Sequence, residues 1–98
     1  MRLSNFEISS IKNTFYDVFK NGDIYVFGSR INDNLNGGDI DIFVDIPNNL
    51  FSKKEVFDKK IIFLSKLKEK IGEQKIDVII SINASDDFIK AGKNGIKL

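Results

Sequence analysis

GSRINDNLNGGDIDIFVD, running from Gly28 to Asp45, is the stretch around which the rest of the chain is organised. An apolar run, Ile24-Tyr25-Val26-Phe27, leads into Gly28-Ser29; after nine intervening residues, Asp39-Ile40-Asp41 opens a second apolar run. Side chains alternate along a strand, so acids at i and i+2 stand on the same face. Asp39 and Asp41 therefore sit side by side, with Ile40, Ile42 and Val44 on the opposite face. Neighbouring carboxylates repel unless a proton or a cation lies between them. A divalent metal is the usual solution, and all-oxygen ligands favour Mg²⁺ or Mn²⁺. A Gly-Ser turn beside such a pair can hold phosphate through its backbone N–H groups. The stretch thus points to a metal–triphosphate site.

Composition narrows the chemistry further. At 98 residues the chain has room for one domain, residues 1–98, and one modest core. Its apolar fraction of 42% is ordinary for a globular fold, and a formal net charge of +1 gives no global pull toward nucleic acid or membrane. The sequence contains no cysteine and no histidine, which excludes disulfides, thiolate chemistry and the commonest general base. Acid–base or metal chemistry must rest on carboxylates, lysine or tyrosine. Met1 to Asn5 does not read as a signal peptide, and no apolar run is long enough to span a bilayer, so a cytoplasmic protein is expected.

The flanking segments supply a scaffold. Ser4 and Glu7 fit a capping box, and Ile8, Ile11, Phe15, Val18 and Phe19 recur at helical spacing up to a stop at Asn21-Gly22. Phe6, Phe15 and Phe19 are expected in the core. Asp23–Phe27 reads as a buried strand and Asp39–Ile46 as a second, ended by Pro47-Asn48-Asn49; the segment between is rich in Asn, Asp and Gly and reads as a loop, with Arg30-Ile31 able to form one helical turn toward phosphate. A second capping box, Ser52 and Glu55, with Phe51 and Val56 as a staple, starts a long helix whose expected apolar stripe is Phe57, Ile61, Leu64, Leu67 or Lys68, and Ile71; Gly72 closes it. Its many lysines read as a solvated face. Lys75–Ile82 is a third strand, Ser85–Ala91 a short helix, and Ile96-Lys97-Leu98 a terminal extension.

These pieces imply a topology. If the end of the first strand and the start of the second meet at one site, those strands are antiparallel. A long helix joining the second and third strands is the mark of a parallel crossover. The start of the third strand then lies beside the start of the second, and Asp77 approaches Asp39 and Asp41. The expected class is α/β in an α+β arrangement, a small mixed sheet of about three strands with helices packed on one side.

Gly28-Ser29-Arg30, the spacing to Asp39-Ile40-Asp41 and the later isolated acid Asp77 resemble the nucleotidyltransferases of the DNA-polymerase-β-like superfamily, and the short length resembles its minimal (MNT) branch. The resemblance covers nearly the whole chain, ending at Gly95-Ile96-Lys97-Leu98 as a terminal strand. Two departures are visible: the loop lacks a second arginine, and Gly38 stands where serine is common. The resemblance implies that Asp39, Asp41 and Asp77 bind two Mg²⁺ ions and carry catalysis. It further implies that Gly28, Ser29 and Arg30 hold the phosphates of ATP, and that AMP passes to an acceptor hydroxyl. It also implies a partner, because members of this branch pair as antitoxins with HEPN-domain toxins.

Two functional classes follow. One is an enzyme that adenylylates a hydroxyl, tyrosine above all, on a HEPN-type toxin. The other is a binding module that neutralises its partner by contact. So short a chain does not enclose a small acceptor unless it oligomerises. No basic patch interleaved with aromatics is present, so direct nucleic-acid binding is not expected.

Overall fold

The computed structural model describes residues 3–28 and 39–98. In chain order the elements are α1 (Asn5–Val18), β1 (Asp23–Phe27), β2 (Ile40–Asp45), α2 (Lys53–Ile71), β3 (Ile76–Ile80), a 3₁₀ turn (Ser81–Asn83), α3 (Asp86–Lys93) and β4 (Ile96–Lys97). Both long helices begin as the sequence predicts. The Ser4 hydroxyl accepts from the Glu7 backbone N–H at 3.1 Å while the Ser4 N–H donates to the Glu7 carboxylate at 2.9 Å. Ser52 and Glu55 repeat the exchange at 3.0 and 3.2 Å. Each box satisfies backbone donors that a helix start otherwise leaves bare.

The sheet has the order β3-β2-β1-β4. β1 and β2 are antiparallel, with Tyr25 opposite Phe43 and Phe27 opposite Asp41. β2 and β3 are parallel, with Ile40 opposite Ile76 and Asp41 opposite Asp77. β4 adds a fourth strand to the expected three, pairing antiparallel with β1 through Tyr25–Lys97 and Val26–Ile96. Two residues are too few to show a period-2 pattern, so only the resemblance pointed to a strand there. Ser81 locks the far ends of β2 and β3: its hydroxyl accepts from the Ile46 N–H at 3.1 Å and donates to the Ile46 carbonyl at 3.2 Å. This bridge helps hold the parallel register that sets Asp41 against Asp77.

Alternation gives the sheet two unlike faces. Ile24, Val26, Ile40, Ile42, Val44, Val78 and Ile80 are buried in one core with Ile11, Phe15, Phe19, Val56, Phe63 and Leu67 from α1 and α2. Burying such side chains is the main favourable term in folding, about 1.5–3 kcal/mol for each large one. Two details differ from expectation. Phe6 is 63% exposed rather than core. On α2 the buried stripe is Val56, Phe63 and Leu67, while Phe57 and Ile61 remain exposed. Leu67 of the expected stripe is buried and Leu64 and Ile71 pack partly buried against the core, so the buried arc is the expected one rotated toward Val56 and Phe63. Contacts with α1 go with this rotation: Lys59 Nζ donates to the Val18 carbonyl at 3.1 Å and Lys66 pairs with Asp17 at 2.6 Å. That orientation turns Phe57 and Ile61 away from α1.

Among the described residues, α3 covers part of the other face. Phe43 points to this face yet is fully buried, because the backbone of Gly92 lies on its ring; a Cβ there would be 2.3 Å from the ring's Cγ. So α1 and α2 share one side, as expected, and α3 departs from single-sided packing by taking the opposite one.

Candidate active site

The end of β1 and the start of β2 meet on the face that α3 covers in part. Gly28 follows β1 with φ of +77°, in the left-handed region that side chains avoid. A Cβ on Gly28 would lie 2.2 Å from Asp41 Oδ2. The glycine is thus required twice over, for its backbone angle and because the Asp41 carboxylate rests against its Cα. The sequence suggested a phosphate-holding turn at Gly28 but not this packing role. Ser29 and Arg30, the other expected nucleotide-binding residues, lie outside the described residues, as does the loop up to Gly38.

β3 completes the cluster. Its ladder with β2 begins where the Ile40 N–H donates to the Lys75 carbonyl at 3.0 Å. One residue further, Asp41 and Asp77 are direct neighbours across the parallel pair. Asp39 stands two residues before Asp41 and therefore on the same face. Asp39 and Asp41 are half-buried, and Asp77 is exposed. Their mutual influence is visible in Asp41, whose carboxyl is pushed above the ordinary range by burial first, then by the charges of Asp77 and Asp39, with Lys75 opposing. The register thus sets Asp41 beside Asp77 and on the same face as Asp39, and the charges of both neighbours are felt at Asp41.

Lys75 is the residue that the sequence reading passed over. Its Nζ lies 3.3 Å from Asp39 Oδ2. The signal was available, since Lys75 precedes Asp77 by two and so shares its face. With Asp39 turned to this lysine, no three acids among the described residues close on a common point as they stand. The donor set nevertheless suits a hard divalent cation: it is entirely carboxylate, and Asp41 is held in a surplus of negative charge that a cation would relieve. Among the described residues the acids lie on an open surface with no enclosed cavity.

A mixed sheet whose central strand opens with two acids, with a glycine turn on one side and a third acid on the other, has the layout of a nucleotide-handling domain. A family model described as "Nucleotidyltransferase domain" matches residues 8–95, and the chain belongs to that family, within the polymerase-β-like superfamily. A search of curated proteins gave no significant match. No helix among the described residues is long and apolar enough to cross a membrane.

Proposed function

We propose that this nucleotidyltransferase domain belongs to the minimal branch, transfers AMP from ATP to a tyrosine hydroxyl of a HEPN-type toxin, and so acts as the antitoxin. The observation behind this reading is the placement of Asp39, Asp41 and Asp77 on an open sheet face. An acceptor that the domain does not enclose is best presented by another protein. A phenol is a suitable nucleophile once its proton, ordinarily lost near pH 10, is drawn off in the site.

Each residue then has a task. Asp39 and Asp41 would hold two Mg²⁺ ions, and Asp77 would complete the second position or take the proton of the acceptor hydroxyl. Bound Mg²⁺ supplies charge neutralisation and Lewis acidity. Ser29 and the adjoining backbone hold the β and γ phosphates, and Arg30 counters charge on the departing pyrophosphate. The acceptor oxygen bonds to the α-phosphorus as the bond to pyrophosphate breaks. The attached AMP obstructs the toxin's RNA site by its bulk and negative charge.

The test is co-expression with a HEPN-domain partner and measurement of the partner's intact mass. The expected result is a partner heavier by one or more AMP units, with Asp39→Ala removing both the added mass and the protection of the cells. Protection by Asp39→Ala without any added mass would assign neutralisation to contact alone.

A further inference from the structure

Among the described residues, three lysine–aspartate pairs lie on the outer face of the sheet, and they are not equivalent. Lys93 of α3 reaches Asp45 at 3.5 Å, and Lys97 of β4 reaches Asp23 at 3.3 Å. Each of these joins two different elements and ties down the segment that carries the lysine. Lys75 to Asp39 ties nothing comparable, because the backbones of these two segments are already joined where the Ile40 N–H meets the Lys75 carbonyl. The Lys75 side chain is 75% exposed, and an exposed pair of this kind repays little for the side-chain order it demands. What sets it apart is its surroundings. Asp39 shares a face with Asp41, which lies opposite Asp77, so the Lys75 ammonium is set against one of three neighbouring carboxylates.

We propose that Lys75 is a placeholder cation for the metal-binding acids. It neutralises Asp39 in the metal-free protein, is displaced from that carboxylate when a divalent ion enters, and thereby sets how tightly the site takes metal. This rests on the metal-dependent reading of the site and adds a positioning residue to it. Among the described residues the three carboxylates outnumber the one ammonium, which leaves a net negative charge for divalent metal to balance. The lysine thus keeps the acids from carrying a larger uncompensated charge, and entering metal has to compete with it for Asp39.

Mn²⁺ titration by calorimetry, with and without ATP, tests the idea on the wild type, Lys75→Ala and Lys75→Arg. Removing the competitor should tighten Mn²⁺ binding about two- to fivefold, the range expected for loss of one exposed ion pair. Arginine should return the affinity to near the wild-type value. In a parallel melting series, Lys75→Ala should be the less stable protein without metal, and the gap should close as Mn²⁺ is added. Unchanged or weaker Mn²⁺ binding by Lys75→Ala, or an arginine variant that behaves like the alanine one, would overturn the proposal while leaving the metal site intact. Failure of the wild type to bind Mn²⁺ under either condition would overturn the metal-dependent reading and this inference together.

Discussion

The outer face of the sheet is divided into two halves built from the same residue types with opposite results. In the covered half, Phe43 is sealed under Gly92, and Asp23 and Asp45 each face a lysine from α3 or β4. In the other half, Asp41 lies opposite Asp77 and shares a face with Asp39, and only Asp39 pairs with a lysine, Lys75, among the described residues. Both halves share β2, where only the Phe43 position separates Asp41 from Asp45 on that face; β1 and β4 complete the first half and β3 the second. The difference teaches that carboxylates on one strand divide according to the charge available opposite them. Where each acid has its own lysine, the charge fastens structure. Where acids outnumber lysines among the described residues, the surplus suits a cation.

Breaking this contrast should have effects of graded size. The largest is expected for Asp41→Asn, which should lower nucleotide transfer by on the order of 10³-fold, equivalent to about 4 kcal/mol of lost transition-state stabilisation, with the fold retained. Transfer measured with labelled ATP, alongside circular dichroism, checks it; unfolding would mean that the half holding Asp41 is structural after all. Next is Phe43→Ala in the covered half. Loss of a fully buried ring should cost about 3 kcal/mol in denaturant melts and leave Mn²⁺ affinity nearly unchanged. The smallest is Asp45→Asn, which removes one partly exposed ion pair and should cost no more than about 1 kcal/mol, with no change in metal binding. A metal-binding defect in Asp45→Asn would erase the distinction between the halves.

Much of this architecture could be read before the structure. The capping boxes at Ser4 and Ser52 are local hydrogen-bond patterns, and local patterns survive folding unchanged. The approach of Asp77 to Asp41 followed from connection length alone, because a helix between two strands imposes a parallel pairing. The features that escaped are set by contacts distant in sequence. The rotation of α2 that buries Val56 and Phe63 and leaves Phe57 and Ile61 exposed goes with the contacts of Lys59 and Lys66 to Val18 and Asp17 of α1. The seat of α3 depended on Gly92 meeting a ring almost fifty residues earlier in the chain. Within the site, the packing of Gly28 on Asp41 and the reach of Lys75 to Asp39 are cross-strand relations that spacing within a single strand does not display.

The surplus charge around Asp41 also fixes a pH dependence. Burial and the neighbouring acids raise Asp41 above its ordinary value, so the folded protein holds that proton more tightly than the unfolded chain does. The resulting stability is present below the ordinary carboxylate range and is lost as pH rises through that range to the raised value. Metal-free Asp41→Asn escapes this loss, so its advantage should appear only as pH climbs past that window. The most direct measurement is the melting temperature of Asp41→Asn relative to wild type at neutral pH, taken without metal and then with Mg²⁺ and ATP. The account predicts that the variant melts higher without metal and lower with Mg²⁺ and ATP, because ligand bound only by the folded wild type stabilises it. A difference that keeps one sign in both conditions would contradict the claim that these three acids form a metal–nucleotide site.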